Sequence, residues 1–112
     1  MRLTIRLLGV DTPETHKPNT PVQCFGPEAA AYTEARLLHA HVALQFDVER
    51  HDVYGRTLAY VVVDGRRFND ELLRLGYARL LVIAPNGAHA RTMLREELDA
   101  RNAQRGLWRA CA

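Results

Sequence analysis

The sequence predicts an α+β fold, a small and strongly curved antiparallel sheet with helices packed around it. Three observations carry this. Alternating apolar and polar residues appear early, at Leu3–Leu7 and again at Val42–Val48, the period expected of half-buried strands. Helical segments interrupt the strands irregularly instead of following each one, which argues against a parallel, doubly wound sheet. Asp64-Gly65 lies between two extended runs, and both positions tolerate positive φ, so the pair reads as a tight hairpin.

Each element follows in order. Leu3, Ile5 and Leu7 alternate with Arg2, Thr4 and Arg6 in a first strand that breaks at Gly9. Residues 15–26, "THKPNTPVQCFG", read as a surface loop. Gly26-Pro27-Glu28 opens a helix, with proline at the first helical position and glutamate at the positive end of the dipole. That helix is expected to reach Ala40, with Ala31, Ala35 and Leu38 on one face. Val42, Leu44, Phe46 and Val48 make a second strand, and "TLAYVVV" after the turn "RHDVYGR" makes a third. Asn69 is placed as the cap of a short helix, "DELLRL", which Gly76 ends. "YARLLVI" reads as a short extended run. A last amphipathic helix is expected over 88–105, with Ala90, Leu94 and Leu98 buried and Gly106 as its stop.

The 112 residues suit one domain, 1–112, and 47% hydrophobic with 25% charged residues is ordinary for a globular chain. A net charge of +2 permits a polyanionic partner without demanding one. No apolar run approaches the roughly 20 residues that span a membrane, and no signal peptide is visible in the opening segment. Cys24 and Cys111 are the only cysteines. So few thiols and such scattered histidines argue against zinc. A long-range disulfide and a pair of separate buried thiols both fit the residues alone. His39 and His41 read as a solvated helix end, "REELDARNAQR" as a solvated helix face, and Trp108 as a packing residue. His16 and Lys17 lie in a loop able to approach nucleic acid.

Two stretches can carry chemistry. In "IRLLGVDTPE" the local reading is a turn capped by Thr12. The functional reading joins Arg6, Asp11 and Glu14: one carboxylate holds a hard cation through oxygen and the other accepts a proton from water. In "HDVYGR" the local reading is a strand-entry turn. The functional reading makes Arg56 a guanidinium able to hold phosphate through two parallel hydrogen bonds. Together the two arginines suit a phosphoryl-transfer transition state.

"RLLGVDTPE", "FGPEAAAYT", "DVYGRTLAYV", "DGRRFNDELLRLGYA" and "LWRAC" follow one another as they do in the staphylococcal nuclease (thermonuclease) family, which the chain resembles from Thr4 to Cys111. The resemblance implies an OB-fold-type β-barrel with three helices. It implies a calcium-dependent nuclease, a phosphodiester hydrolase acting on DNA and RNA and leaving 3′-phosphate products. Asp11 matches the carboxylate that binds calcium, Thr12 the residue giving it a backbone carbonyl, and Glu14 the proposed general base. Arg6 and Arg56 match the phosphate-binding arginines, and Tyr54 a tyrosine that contacts a substrate phosphate. Secreted bacterial relatives often carry cysteines just before "FG" and just after "LW", so the resemblance implies a Cys24–Cys111 disulfide and a secreted, periplasmic or cell-envelope protein.

The chain also departs from the family pattern. The family's first two strands, and a "DGDT"-type turn that supplies another aspartate, precede the position of Leu3, so the barrel is expected to lack them here. Completion by a partner chain is one expectation that follows. Leu81, Val82 and Ile83 stand where some members place tyrosines against the base, and Val53 where a lysine often holds phosphate. A nuclease-like domain that binds nucleic acid or a protein without turnover is the alternative reading.

Overall fold

The computed structural model describes residues 2–15 and 19–111. His16 and Lys17 lie outside them. Strand β4 (Thr57–Val63) is the centre of the sheet, spans the seven residues the sequence predicts, and is rich in β-branched and aromatic side chains. Strand β1 (Ile5–Leu7) pairs with it in parallel, Arg6 opposite Leu58. Strand β3 (Ala43–Gln45) pairs antiparallel on the other side. The Asp64-Gly65 turn, with φ of 53° and 77°, returns the chain as β5 (Arg66–Arg67). A separate two-stranded sheet joins β2 (Gly9–Asp11) to β6 (Arg79–Leu81), Asp11 opposite Arg79.

Gly9 makes the step from one sheet to the other. It sits at φ 80°, which strains any residue with a side chain, and a Cβ there would also have to push aside the Met93 thioether. Arg6 and Asp11 therefore leave the same stretch of chain in two differently directed strands.

Four helices cover the sheets: α1 (Gly26–Leu37), α2 (Phe68–Arg74), α3 (Ala90–Asn102) and the four-residue α4 (Leu107–Ala110), which adds to the three expected. The core lies between β2, β4, α2 and α3. Tyr60, Phe68, Leu72, Leu73, Met93 and Leu107 are its largest fully buried side chains besides Val10 and Asn69. A disulfide joins Cys24, ahead of α1, to Cys111, after α4. Among the described residues no helix is long and apolar enough to cross a membrane.

Several elements differ from the sequence expectation, each for an identifiable reason. Helix α1 stops at Leu37 instead of Ala40, because Leu38 is extended and His39 takes φ 61°. Its inward face is Ala29, Tyr32 and Arg36, while Ala31, Ala35 and Leu38 are exposed. An arginine on this face hides it from a reading that looks only for apolar residues. Arg36 is held by Glu71 of α2, its Nε 2.8 Å from the carboxylate, and the Tyr32 hydroxyl donates to the same group.

The second strand is three residues long and not seven. Asp47 draws the chain out of the ladder: its carboxylate accepts the Val48 N–H at 2.9 Å, the Ala88 N–H at 3.0 Å and the Tyr60 hydroxyl at 2.7 Å. Side-chain acceptors of this kind compete directly with strand pairing.

Helix α3 is shorter than expected and its stripe is rotated by one residue, about 100°. Met93, Glu97 and Ala100 face inward, whereas Leu94 and Leu98 are more than 40% exposed. Glu97 hides the stripe from a hydrophobicity reading. It is tolerated inside because its carboxylate accepts the Leu80 N–H of β6 at 2.5 Å.

Asn69 is not a helix cap. Arg67 holds that position, and Asn69 is fully buried, its amide bonded to three backbone groups. The amide oxygen accepts the Val61 N–H at 2.8 Å, and the nitrogen donates to Leu8 C=O at 2.9 Å and Ala59 C=O at 3.2 Å. It ties α2 to β4 and to the bend between β1 and β2.

Candidate active site

Arg6 points out of β1 beside the Gly9 bend. Its guanidinium donates to the Leu7 carbonyl at 2.6 Å and the Val10 carbonyl at 2.8 Å, which fixes the side chain without neutralising it. Partial burial lowers its pKa from the usual arginine value, Asp11 opposes the shift, and the charge of nearby Arg56 adds to it. Two guanidinium groups this close, with no carboxylate salt-bridged to Arg6 among the described residues, form a positive locus suited to an anion.

Arg56 is set by a different device. Asp52 accepts the N–H groups of Tyr54 and Arg56 through one carboxylate oxygen, each at 2.9 Å, and the Arg56 Nε through the other at 2.6 Å. Asp52 thus closes its own turn and grips the arginine that follows. Burial works to raise its pKa, but the hydrogen bonds from Arg56 and Tyr54 outweigh it and hold the carboxyl below the ordinary aspartate range. Asp52 grips the side chain through Nε, and among the described residues the outer guanidinium nitrogens of Arg56 make no hydrogen bond. The sequence reading noted this turn but missed the role of Asp52; an aspartate four residues before an arginine, across Tyr-Gly, was the available signal.

Asp11 ends β2 in an exposed position, and Thr12 and Glu14 follow in the loop. Gln23 positions Glu14 from both sides: its amide oxygen accepts the Glu14 N–H, and its N–H donates to the Glu14 carbonyl, both at 2.9 Å. Gly26 lies so close beneath that a Cβ would sit 2.7 Å from the Glu14 carbonyl oxygen. Neither Gln23 nor Gly26 was assigned to the site from sequence. Nothing in a Pro/Thr-rich loop distinguishes a glutamine that folds back nine positions.

Arg6, Asp11, Thr12, Glu14 and Arg56 all line one open cleft of about 400 Å³. Tyr54 does not line it. Its ring is largely exposed, 5.7 Å from the Arg56 guanidinium carbon, and it borders an adjoining, more apolar cleft that shares Arg6 and Arg56. The donor set of the charged cleft is hard oxygen: two carboxylates and the carbonyl of Thr12. Such donors fit calcium in kind, with water or substrate oxygens needed to complete six to eight ligands. They do not fit zinc or copper, which favour nitrogen or sulfur. Among the described residues no three His, Cys, Asp or Glu side chains form a closed metal cage.

A family model described as staphylococcal nuclease homologue matches residues 4–110. The chain is 40% identical over 104 residues to a thermonuclease of Staphylococcus hyicus, covering 93% of this chain and 62% of that protein. It is 42% identical over 104 residues to a thermonuclease of Staphylococcus intermedius, with the same coverage. It is 39% identical over 107 residues to Endonuclease YncB of Bacillus subtilis, covering 94% of this chain and 51% of that one. The chain thus spans less than two thirds of the length of these curated relatives.

Proposed function

The chain belongs to the staphylococcal nuclease family, and from that premise we propose that it is a calcium-dependent nuclease that hydrolyses phosphodiester bonds of DNA and RNA to 3′-phosphate products. The observation that carries the reading is the convergence of Arg6 and Arg56, from separate elements, on a cleft that also holds Asp11 and Glu14.

The scissile phosphate binds between the two guanidinium groups, which neutralise the charge that grows on its oxygens as the reaction proceeds. Glu14 takes a proton from water as the water oxygen attacks phosphorus. The bond from phosphorus to the 5′-oxygen breaks, that oxygen takes a proton from solvent, and the phosphate stays on the 3′ side. One of the two arginines can hydrogen-bond the departing oxygen as charge develops. Tyr54, on the lip of the cleft, contacts a neighbouring phosphate. Asp11 and the Thr12 carbonyl would hold calcium, which when bound would supply positive charge to the phosphate. A disulfide-bonded chain suits a secreted or cell-envelope location.

The test is release of acid-soluble nucleotides from DNA and RNA, with calcium and with a chelator, for the wild type, Glu14→Gln and Arg56→Ala. Loss of a preorganised charge-stabilising donor costs about 10²–10³-fold in rate, and each variant and the chelator should fall by at least that much. Equal release in all samples would sink the reading, as would tight nucleic-acid binding without any release.

A further inference from the structure

The charged cleft opens into a second cleft of about 460 Å³, which shares Arg6 and Arg56 with it. Leu58, Leu81 and Ile83 supply aliphatic walls, so the space suits a flat, weakly polar group attached to a phosphate held next door. The polar groups on its rim decide which flat group fits best.

Two acidic residues line this cleft, Asp52 and Glu49. Asp52 is fully engaged with Tyr54 and Arg56. Glu49 has a different status. Its main chain is clamped by the buried side chain of Asn86, which accepts the Glu49 N–H at 2.8 Å and donates to the Glu49 carbonyl at 3.0 Å. Its own carboxylate has no hydrogen-bond or salt-bridge partner among the described residues. The neighbouring cation, Arg50, is stacked over the Phe46 ring at 3.9 Å. A rigidly anchored backbone therefore offers an uncommitted carboxylate at the edge of an aliphatic slot.

A carboxylate presents two acceptors side by side and no donor. Among the bases only guanine offers two adjacent donors on one edge, N1–H and the exocyclic N2–H. Adenine and cytosine pair one amino donor with a ring acceptor, and uracil and thymine flank one donor with carbonyls; a carboxylate is repelled by the second group in each case. We propose that Glu49 makes the second cleft a guanine-selective base subsite, engaging N1–H and N2–H while Arg6 and Arg56 hold the attached phosphate. This rests on the nuclease reading of the charged cleft and adds the base it prefers.

The probe is calorimetric titration, in calcium buffer, with the 3′,5′-bisphosphates of guanosine, adenosine, cytidine and uridine. A matched bidentate contact discriminates by roughly 10- to 100-fold, so guanosine bisphosphate should bind at least about tenfold tighter than the others. In Glu49→Gln the amide has one donor and one acceptor, which complements adenine; the guanosine advantage should vanish and adenosine should gain. Equal binding of all four nucleotides by the wild type overturns the Glu49 assignment and leaves the nuclease reading standing. An undiminished guanosine preference in Glu49→Gln, with an unfolding transition matching the wild type, does the same. No binding of any nucleotide overturns both.

Discussion

Replacing Asn69 with leucine keeps the branched outline of the side chain, at a somewhat larger volume, and removes every hydrogen bond it makes. In the fold this residue has no exposed surface and serves three backbone groups. Ala59 C=O would keep a partner, because it also accepts the Leu8 N–H at 3.0 Å. The Val61 N–H and the Leu8 C=O would be left buried and unpaired. Each orphaned group costs about 1–3 kcal/mol, so the variant should lose about 3–4 kcal/mol after the small gain from a more apolar side chain. An asparagine that merely capped a helix would cost about 1 kcal/mol, and the two roles are therefore separable by magnitude. Trp108 is the single tryptophan, packed between the guanidinium groups of Arg79 and Arg101 at 5.3 and 5.0 Å, and its fluorescence reports urea unfolding. A loss of 1 kcal/mol or less at unchanged m-value would refute the bracing role.

Three further outcomes follow from particular contacts. Burial and the neighbouring Asp70 carboxyl push the Glu96 pKa up to about 8, and one of its oxygens is buried without a partner. The folded state then keeps a proton that the unfolded chain releases above pH 4.5 or so, so stability should fall as pH rises from there to about 8. Glu96→Gln, which keeps the neutral shape, should flatten that fall and be more stable than the wild type at pH 8; parallel stability curves for the two proteins would contradict this. The disulfide closes a loop with a sequence separation of 87 residues, for which the chain-entropy model gives about 4–5 kcal/mol. The double variant Cys24→Ser, Cys111→Ser should lose stability on that scale in urea titrations, and a loss under 1 kcal/mol would deny the model here. Gln23→Ala should lower kcat about tenfold or more by loosening Glu14, with a urea midpoint close to the wild type, since Gln23 is exposed; unchanged kcat would remove Gln23 from the site.

The sequence by itself determined what short-range pattern can encode. Strand β4 and its Asp64-Gly65 turn follow from a run rich in β-branched residues and from residues that tolerate positive φ. The charged residues of the candidate site were also legible there, because Arg6, Asp11, Glu14 and Arg56 sit at strand ends and turns where local chemistry is readable. Tertiary structure decided which polar side chains go inside. Glu97, Asn69 and Arg36 look like surface residues until a distant partner appears: the Leu80 N–H, the backbone of β4 and of the bend between β1 and β2, or Glu71. It also decided the supports of the site, Asp52 beneath Arg56 and Gln23 around Glu14. Above all it decided that Arg6 and Arg56 share a cleft, which depends on β1 lying parallel to β4 with Ile5 opposite Thr57. Pairing of that kind depends on groups far apart along the chain, and a burial pattern read from neighbours carries no record of them.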